Sequence, residues 1–153
     1  VAFVSGSDED VTKTGRFKGY RDAMLSSGMD IDMRYVRRAD PTYTGGWKGL
    51  SAILSDGLRP RAVFLYNLVM AMGANTAIRD AGLSIPGEVA VAGCDDSVSE
   101  DEMIVPTTTV AFSYDEEARQ ILRLVQRRLS SPDIEPMSIR IPPQLLVRAS
   151  TTP

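Results

Sequence analysis

The stretch 89-VAVAGCDD-96, with the run 66-YNLVMAMGA-74 ahead of it, decides how this chain folds. A short apolar run and a glycine lead into two adjacent carboxylates, Asp95 and Asp96. A buried parallel strand reads this way when it delivers polar side chains to the carboxyl edge of a sheet, where open α/β folds bind ligands. The upstream run has the same logic: an apolar strand closes on Asn67, and a helix opens behind it.

The alternation continues in both directions. Residues 62–66 form an apolar run too short for a helix, and residues 1–5 form another. Between them a Gly6-Ser7 turn and an acidic lead-in at 8–10 precede Phe17, Tyr20 and Met24 at helical spacing, with Gly28 as the C-terminal stop. Residues 33–36 are a short strand candidate. Thr42 or Thr44 is placed to cap a helix carrying Trp47, Leu50, Ile53 and Leu54 on one face, which Gly57 and Pro60 end. Downstream, the helix behind Asn67 reaches about Ala81, and residues 95–102 make an acidic loop. The β-branched run 107–112 is another strand. Ser113 and Glu116 form a capping-box pattern for a helix over 114–130 that is expected to bury Ala118, Ile121, Leu122, Val125 and Leu129. Residues 139–141 and 145–147 are closing strand candidates on either side of Pro142-Pro143. Strands and helices joined this closely imply parallel crossovers, so the fold class is α/β, a mostly parallel open sheet with helices on both faces.

With 153 residues the chain fits one domain with a real core, and 43% hydrophobic and 24% charged residues are ordinary for a globular protein. Seventeen basic against twenty acidic residues leave no nucleic-acid footprint by charge alone. A single cysteine excludes an internal disulfide, and nothing has zinc-ligand spacing. No histidine is present, which removes the commonest general base and any hydrolase triad. No phosphate-binding loop, membrane span or signal peptide is evident, so a cytoplasmic setting is the default and no cofactor or metal is called for. The chain starts directly in a strand-like run without an initiator methionine, and is read as a fragment.

Each candidate polar residue has a plain reading beside a functional one. Asp95 and Asp96 fit a catalytic or magnesium pair, acceptors for sugar hydroxyls, or a simple turn cap. Asn67 is a natural helix N-cap, a role compatible with ligand contact. Arg16 is either a solvated arginine or a fork aimed at ligand oxygens. Cys94, without a histidine partner, reads as a small apolar filler, and Arg119, Arg123 and Arg127 as the wet side of a helix.

Five segments in order and spacing resemble the LacI/GalR family of bacterial transcriptional regulators. Arg16-Phe17-Lys18-Gly19-Tyr20 is similar to its R-x-x-G-[FWY]. Residues 64–74 resemble its strand followed by Asn-Asp-x-x-Ala-x-Gly. Residues 81–96 resemble G-x-x-[IV]-P-x-[DE]-[IV]-x-V-x-G-[FY]-D-D, residues 106–110 its P-x-[LT]-T-T-[IV] strand, and residues 146–151 its closing L-V-x-R-x-S-T. The resemblance implies a class I periplasmic-binding-protein-like lobe, the C-terminal part of an effector-binding domain spanning residues 1–153. It also implies that the helix at 114–130 crosses to a first lobe absent here, and that operator DNA is bound only through an absent N-terminal head. It puts Arg16, Asn67 and Asp95 in contact with a sugar, polyol or nucleoside effector. Pro41 and Phe112 would line the pocket, and Met72, Met103, Ile104 and Val105 would form a homodimer interface. The implied protein is a non-enzymatic sensor that changes operator binding through lobe closure; the alternative is a periplasmic sugar-binding protein of a transport system. Leu68 stands where the family has a second acidic residue, which points away from a standard hexose, and Cys94 replaces the usual aromatic.

Overall fold

The computed structural model describes residues 1–6 and 15–152. The expected turn at Gly6-Ser7 and the acidic lead-in therefore lie outside the described residues beyond Gly6. Strand β1 (Ala2–Gly6) is buried along its whole length. Its residues alternate between two cores: Ala2 and Val4 face one, and Phe3 the other. Helix α1 (Gly15–Ser26) lays Phe17, Tyr20 and Met24 on Phe3, with the Phe3 ring 5.5 Å from Phe17 and 5.1 Å from Tyr20. Gly28 ends it with φ +70°, as its spacing predicts.

Strand β2 (Val36–Ala39) starts later than the candidate at 33–36, because residues 33–35 wind into a single 3-10 turn. Asp32 causes this: its carboxylate accepts from the Arg34 amide at 2.9 Å and also grips the Arg34 guanidinium, a local bond that competes with strand extension. Helix α2 (Tyr43–Ser55) begins behind Thr42, whose hydroxyl accepts from Gly45 N at 3.1 Å. Leu50 and Ile53 are buried, whereas Trp47 is partly exposed and its ring nitrogen donates to Asp80 at 3.0 Å. Strand β3 (Ala62–Leu65), helix α3 (Leu68–Asp80), strand β4 (Ala90–Cys94) and strand β5 (Thr108–Ala111) follow in turn.

The sheet has the order β2-β1-β3-β4-β5-β6, parallel except for β6 (Gln144–Leu146), which runs antiparallel to β5. Residues 139–141 are not a strand; they belong to the irregular segment leading to Pro142-Pro143, and proline cannot donate to a ladder. After β6 the chain stitches β4 to β5. Fully buried Ser150 accepts from Thr108 N at 2.8 Å and donates to Val91 O at 2.6 Å.

The larger core lies under α2 and α3, and the smaller one under α1. Helix α4 (Tyr114–Ser130) departs from expectation. It buries none of its residues: Ile121 and Leu122 are 52% and 62% exposed, and Val125 and Leu129 are open too. Helical periodicity specifies that a face is apolar, not what lies against it. The Ser113 hydroxyl accepts from Glu116 N at 3.2 Å, but the Glu116 carboxylate turns up the helix to Arg119 and Gln120. Those two donors hold it below the usual glutamate range.

Candidate functional site at the carboxyl rim

Parallel strands β1, β3 and β4 lie side by side, so the residues that leave them emerge on one rim. Asn67 leaves β3 and caps α3, its Oδ1 accepting from Met70 N at 2.8 Å. Its Nδ2 donates to Pro41 O at 3.3 Å, which brings Pro41 from the β2–α2 joint beside it. The cap takes one of the two lone pairs of Oδ1 and Pro41 takes one of the two N–H groups, so the amide keeps one acceptor site and one donor site.

Arg16 is half-buried at the start of α1, with its guanidinium 4.1 Å above the centre of the Tyr66 ring. Burial alone would lower its proton affinity. Hydrogen bonding to the Cys94 side chain, with a contribution from Tyr66, outweighs this and holds the group above its ordinary value. Tyr66 precedes Asn67, and Cys94 precedes Asp95. The cation thus stands over the end of β3 and lines one cavity with the end of β4.

Asp95 adopts φ +69°, a left-handed conformation that aspartate tolerates better than most residues. Its Oδ1 accepts from Ser97 N and Ser97 Oγ at 3.2 and 2.8 Å, while the other carboxylate oxygen takes no part in that turn. The Asp95 backbone is pinned as well, through its N–H to Val110 O and its carbonyl to the Thr109 hydroxyl. Asp96 points elsewhere, to Arg148 at 2.9 Å. The two carboxylates diverge and do not make a metal pair. Among the described residues no group of three His, Cys, Asp or Glu side chains is placed to hold a metal ion.

A cavity of about 850 Å³ opens beside α1, lined by Arg16, Tyr66, Cys94 and Phe112 together with Phe64 and Met24. The structure therefore groups Arg16 with Phe112 in the cavity, while Asn67, Pro41 and Asp95 stand on the adjoining rim. Leu68 is fully buried and packs into the α2/α3 core, so no carboxylate follows Asn67 at the start of this helix. Of the expected interface residues, Ile104 is 60% exposed, Met72 and Val105 are half-buried, and Met103 packs into the core. Sequence reasoning missed two residues: Tyr66, taken only as a strand end, and Arg148, quoted only as a letter in a motif.

Residues 1–151 match the family model described as periplasmic binding protein-like domain. The chain belongs to the periplasmic binding protein-like domain family. Within it, the chain is 31% identical over 150 residues to the ribose operon repressor of Escherichia coli (strain K12), covering 98% of this chain and 46% of that protein. The structure of a CelR–cellobiose complex, a transcriptional regulator, is 31% identical and superposes with a TM-score of 0.86 over 97% of this chain and 46% of that one. A putative LacI-family regulator from Sanguibacter keddieii is 29% identical, with a TM-score of 0.86 over 97% of this chain and 57% of that one. The chain spans just under half the length of the curated relatives it matches. The sequence-level resemblance and the α/β lobe it implied are thereby borne out. These relatives are transcriptional regulators. No described helix of this family member is long and apolar enough to cross a membrane.

Proposed function

We propose that this chain is the C-terminal lobe of the effector-binding domain of a cytoplasmic, non-enzymatic LacI/GalR-type regulator, which closes with a second lobe on a sugar-like or nucleoside effector. The observation that supports this reading is that Arg16 packs on Tyr66, the residue before Asn67, and lines a concave cavity with Cys94, the residue before Asp95, at the ends of neighbouring parallel strands. In this reading Arg16 supplies charged donors to ligand oxygens, Asn67 a neutral donor and acceptor, Asp95 an acceptor, and Tyr66 and Phe112 apolar faces for a ring. Effector binding favours one closure state by its differential affinity, and that difference resets the presentation of DNA-binding heads. The relatives above favour regulation over transport, the runner-up reading.

The test is a thermal-shift screen of ribose, cellobiose, lactose, sucrose and nucleosides on the gene product that carries this chain. A true effector at about a hundred times its dissociation constant adds roughly 2.7 kcal/mol of stability. The same compound must then change retention on operator DNA; binding without any effect on DNA would favour the transport reading instead.

The domain reading has a test of its own. An amphipathic helix with its stripe exposed needs a cover, which we assign to the first lobe. The 153-residue chain alone is then expected to self-associate through Ile121, Leu122, Val125 and Leu129. Light scattering is expected to show I121E/V125E returning it to monomer. A strict wild-type monomer would count against this assignment.

A further inference from the structure

We infer that Arg148 is a positioning residue for Asp95, holding the segment between β4 and β5 in the form that presents this carboxylate at the rim. Asp95's ligand role rests on the proposed function; the positioning does not.

The geometry is that of a hub under a loop. The Arg148 side chain is only 10% exposed, and its fork is divided three ways. Nη2 donates to Asp96 Oδ1 at 2.9 Å, Nη1 to Thr107 O at 3.1 Å, and Nε to the Glu100 carboxylate. These acceptors lie next to Asp95, in the middle of the loop and at its far end. One guanidinium thus grips the excursion from 96 to 107 along its length. Burial disfavours the charge, but Glu100 and Asp96 more than restore it, so the guanidinium is held above its ordinary value.

The side chain is anchored from behind. Arg148 N donates to Thr108 Oγ1 at 2.9 Å, and two residues on Ser150 ties β4 to β5. A planar fork on a fixed backbone fixes the direction of what it binds. What it fixes here is Asp96, the immediate neighbour of a residue in the left-handed region. That conformation persists only when its surroundings over-determine it. The Ser97 turn and the Val110 bond supply part of this, and the Arg148–Asp96 bond holds the residue that follows. Glu100 shares the guanidinium but sits on an exposed 3-10 turn at 100–102, so its arm steadies the loop more than it aims the carboxylate.

The experiment is NMR on the full chain without ligand, comparing wild type with Arg148→Met, Asp96→Ala and Ser150→Ala. The readouts are amide exchange at Asp95 and Ser97, and the Asp95 coupling constant and carbon shifts that report positive φ. Arg148→Met and Asp96→Ala, which each remove one partner of the bond, are both expected to speed exchange at those amides by about tenfold or more and to erase the left-handed signature. Core amides such as Val91 are expected to stay protected in Asp96→Ala. Ser150→Ala weakens the β4–β5 seam but leaves the fork intact, so the Asp95 signature should survive. Asp96 is partly exposed and its change leaves the core alone, so it decides the matter if Arg148→Met does not fold. An unchanged Asp95 signature in Asp96→Ala, or equal loss in Ser150→Ala, would overturn the inference. Because no effector is used, an empty ligand screen and a negative result here are separate failures.

Discussion

Gly73→Ala is expected to cost at least about 3 kcal/mol and to lower the melting temperature by roughly 6–12 °C, from the usual 2–4 °C per kcal/mol for a chain of this size. The reason is where α2 and α3 cross. A Cβ on Gly73 would sit 1.9 Å from Tyr43 O and 2.8 Å from Trp47 N, and one on Gly46 would sit 2.0 Å from Met70 O. These are main-chain atoms, so no rotamer change relieves the contact and the helices must part. Parting them stretches the bond between the Tyr43 and Thr76 hydroxyls at 2.7 Å and loosens Leu50 and Ile53, which are fully buried beneath. Set against a typical total stability of about 5–15 kcal/mol, such a loss is severe. The control is Gly19→Ala on α1, where a Cβ meets nothing within 4 Å; there the change is expected to be neutral or to stabilise by up to about 1 kcal/mol. Calorimetry on the two variants checks the pair, and a Gly73→Ala protein melting like wild type would mean that the two helices can part at this crossing without cost.

The second large effect concerns ligand. Arg16→Met is expected to weaken the effector found by the thermal-shift screen roughly ten- to 150-fold, the equivalent of losing about 1.5–3 kcal/mol of charge-assisted hydrogen bonding. The melting temperature of the free protein should move little, since the side chain is half-buried and a methionine still covers the Tyr66 face. Isothermal titration separates this from a general loss of structure: affinity falls while the unliganded melt is kept. Undiminished affinity in Arg16→Met would remove Arg16 from the site and leave its contact with Tyr66 as a packing feature only.

Much of the fold was legible because local signals agreed with one another. Continuous apolar runs gave β1, β3 and β4, and Thr42, Asn67 and Ser113 each capped the helix expected of them. The shared rim was legible as well, since strand ends in a parallel sheet share an edge. The misreadings have physical causes. The start of β2 slipped because Asp32 bonds two residues ahead, a side-chain effect that hydrophobic pattern does not carry. Burial on α4 was misjudged because amphipathicity names a face and not its partner. The Arg148 hub spans 41 to 52 residues of sequence and could not be read from spacing at all. The crossing of α2 and α3 over Gly45, Gly46 and Gly49 was not read from the sequence either, since the close approach depends on which helix lies against them.

The commitment of Asn67's carbonyl oxygen to the Met70 amide reaches into ligand selection. With one of its two N–H groups also turned to Pro41 O, the amide keeps a single hydrogen for a guest. In the proposed site it therefore keeps one hydrogen and one lone pair, the pair that a single hydroxyl satisfies by accepting with its oxygen and donating with its proton. A deoxy sugar lacks both partners at this position and would be rejected. A methyl ether small enough to fit keeps the acceptor and loses the donor, so it would be held more weakly than the parent alcohol.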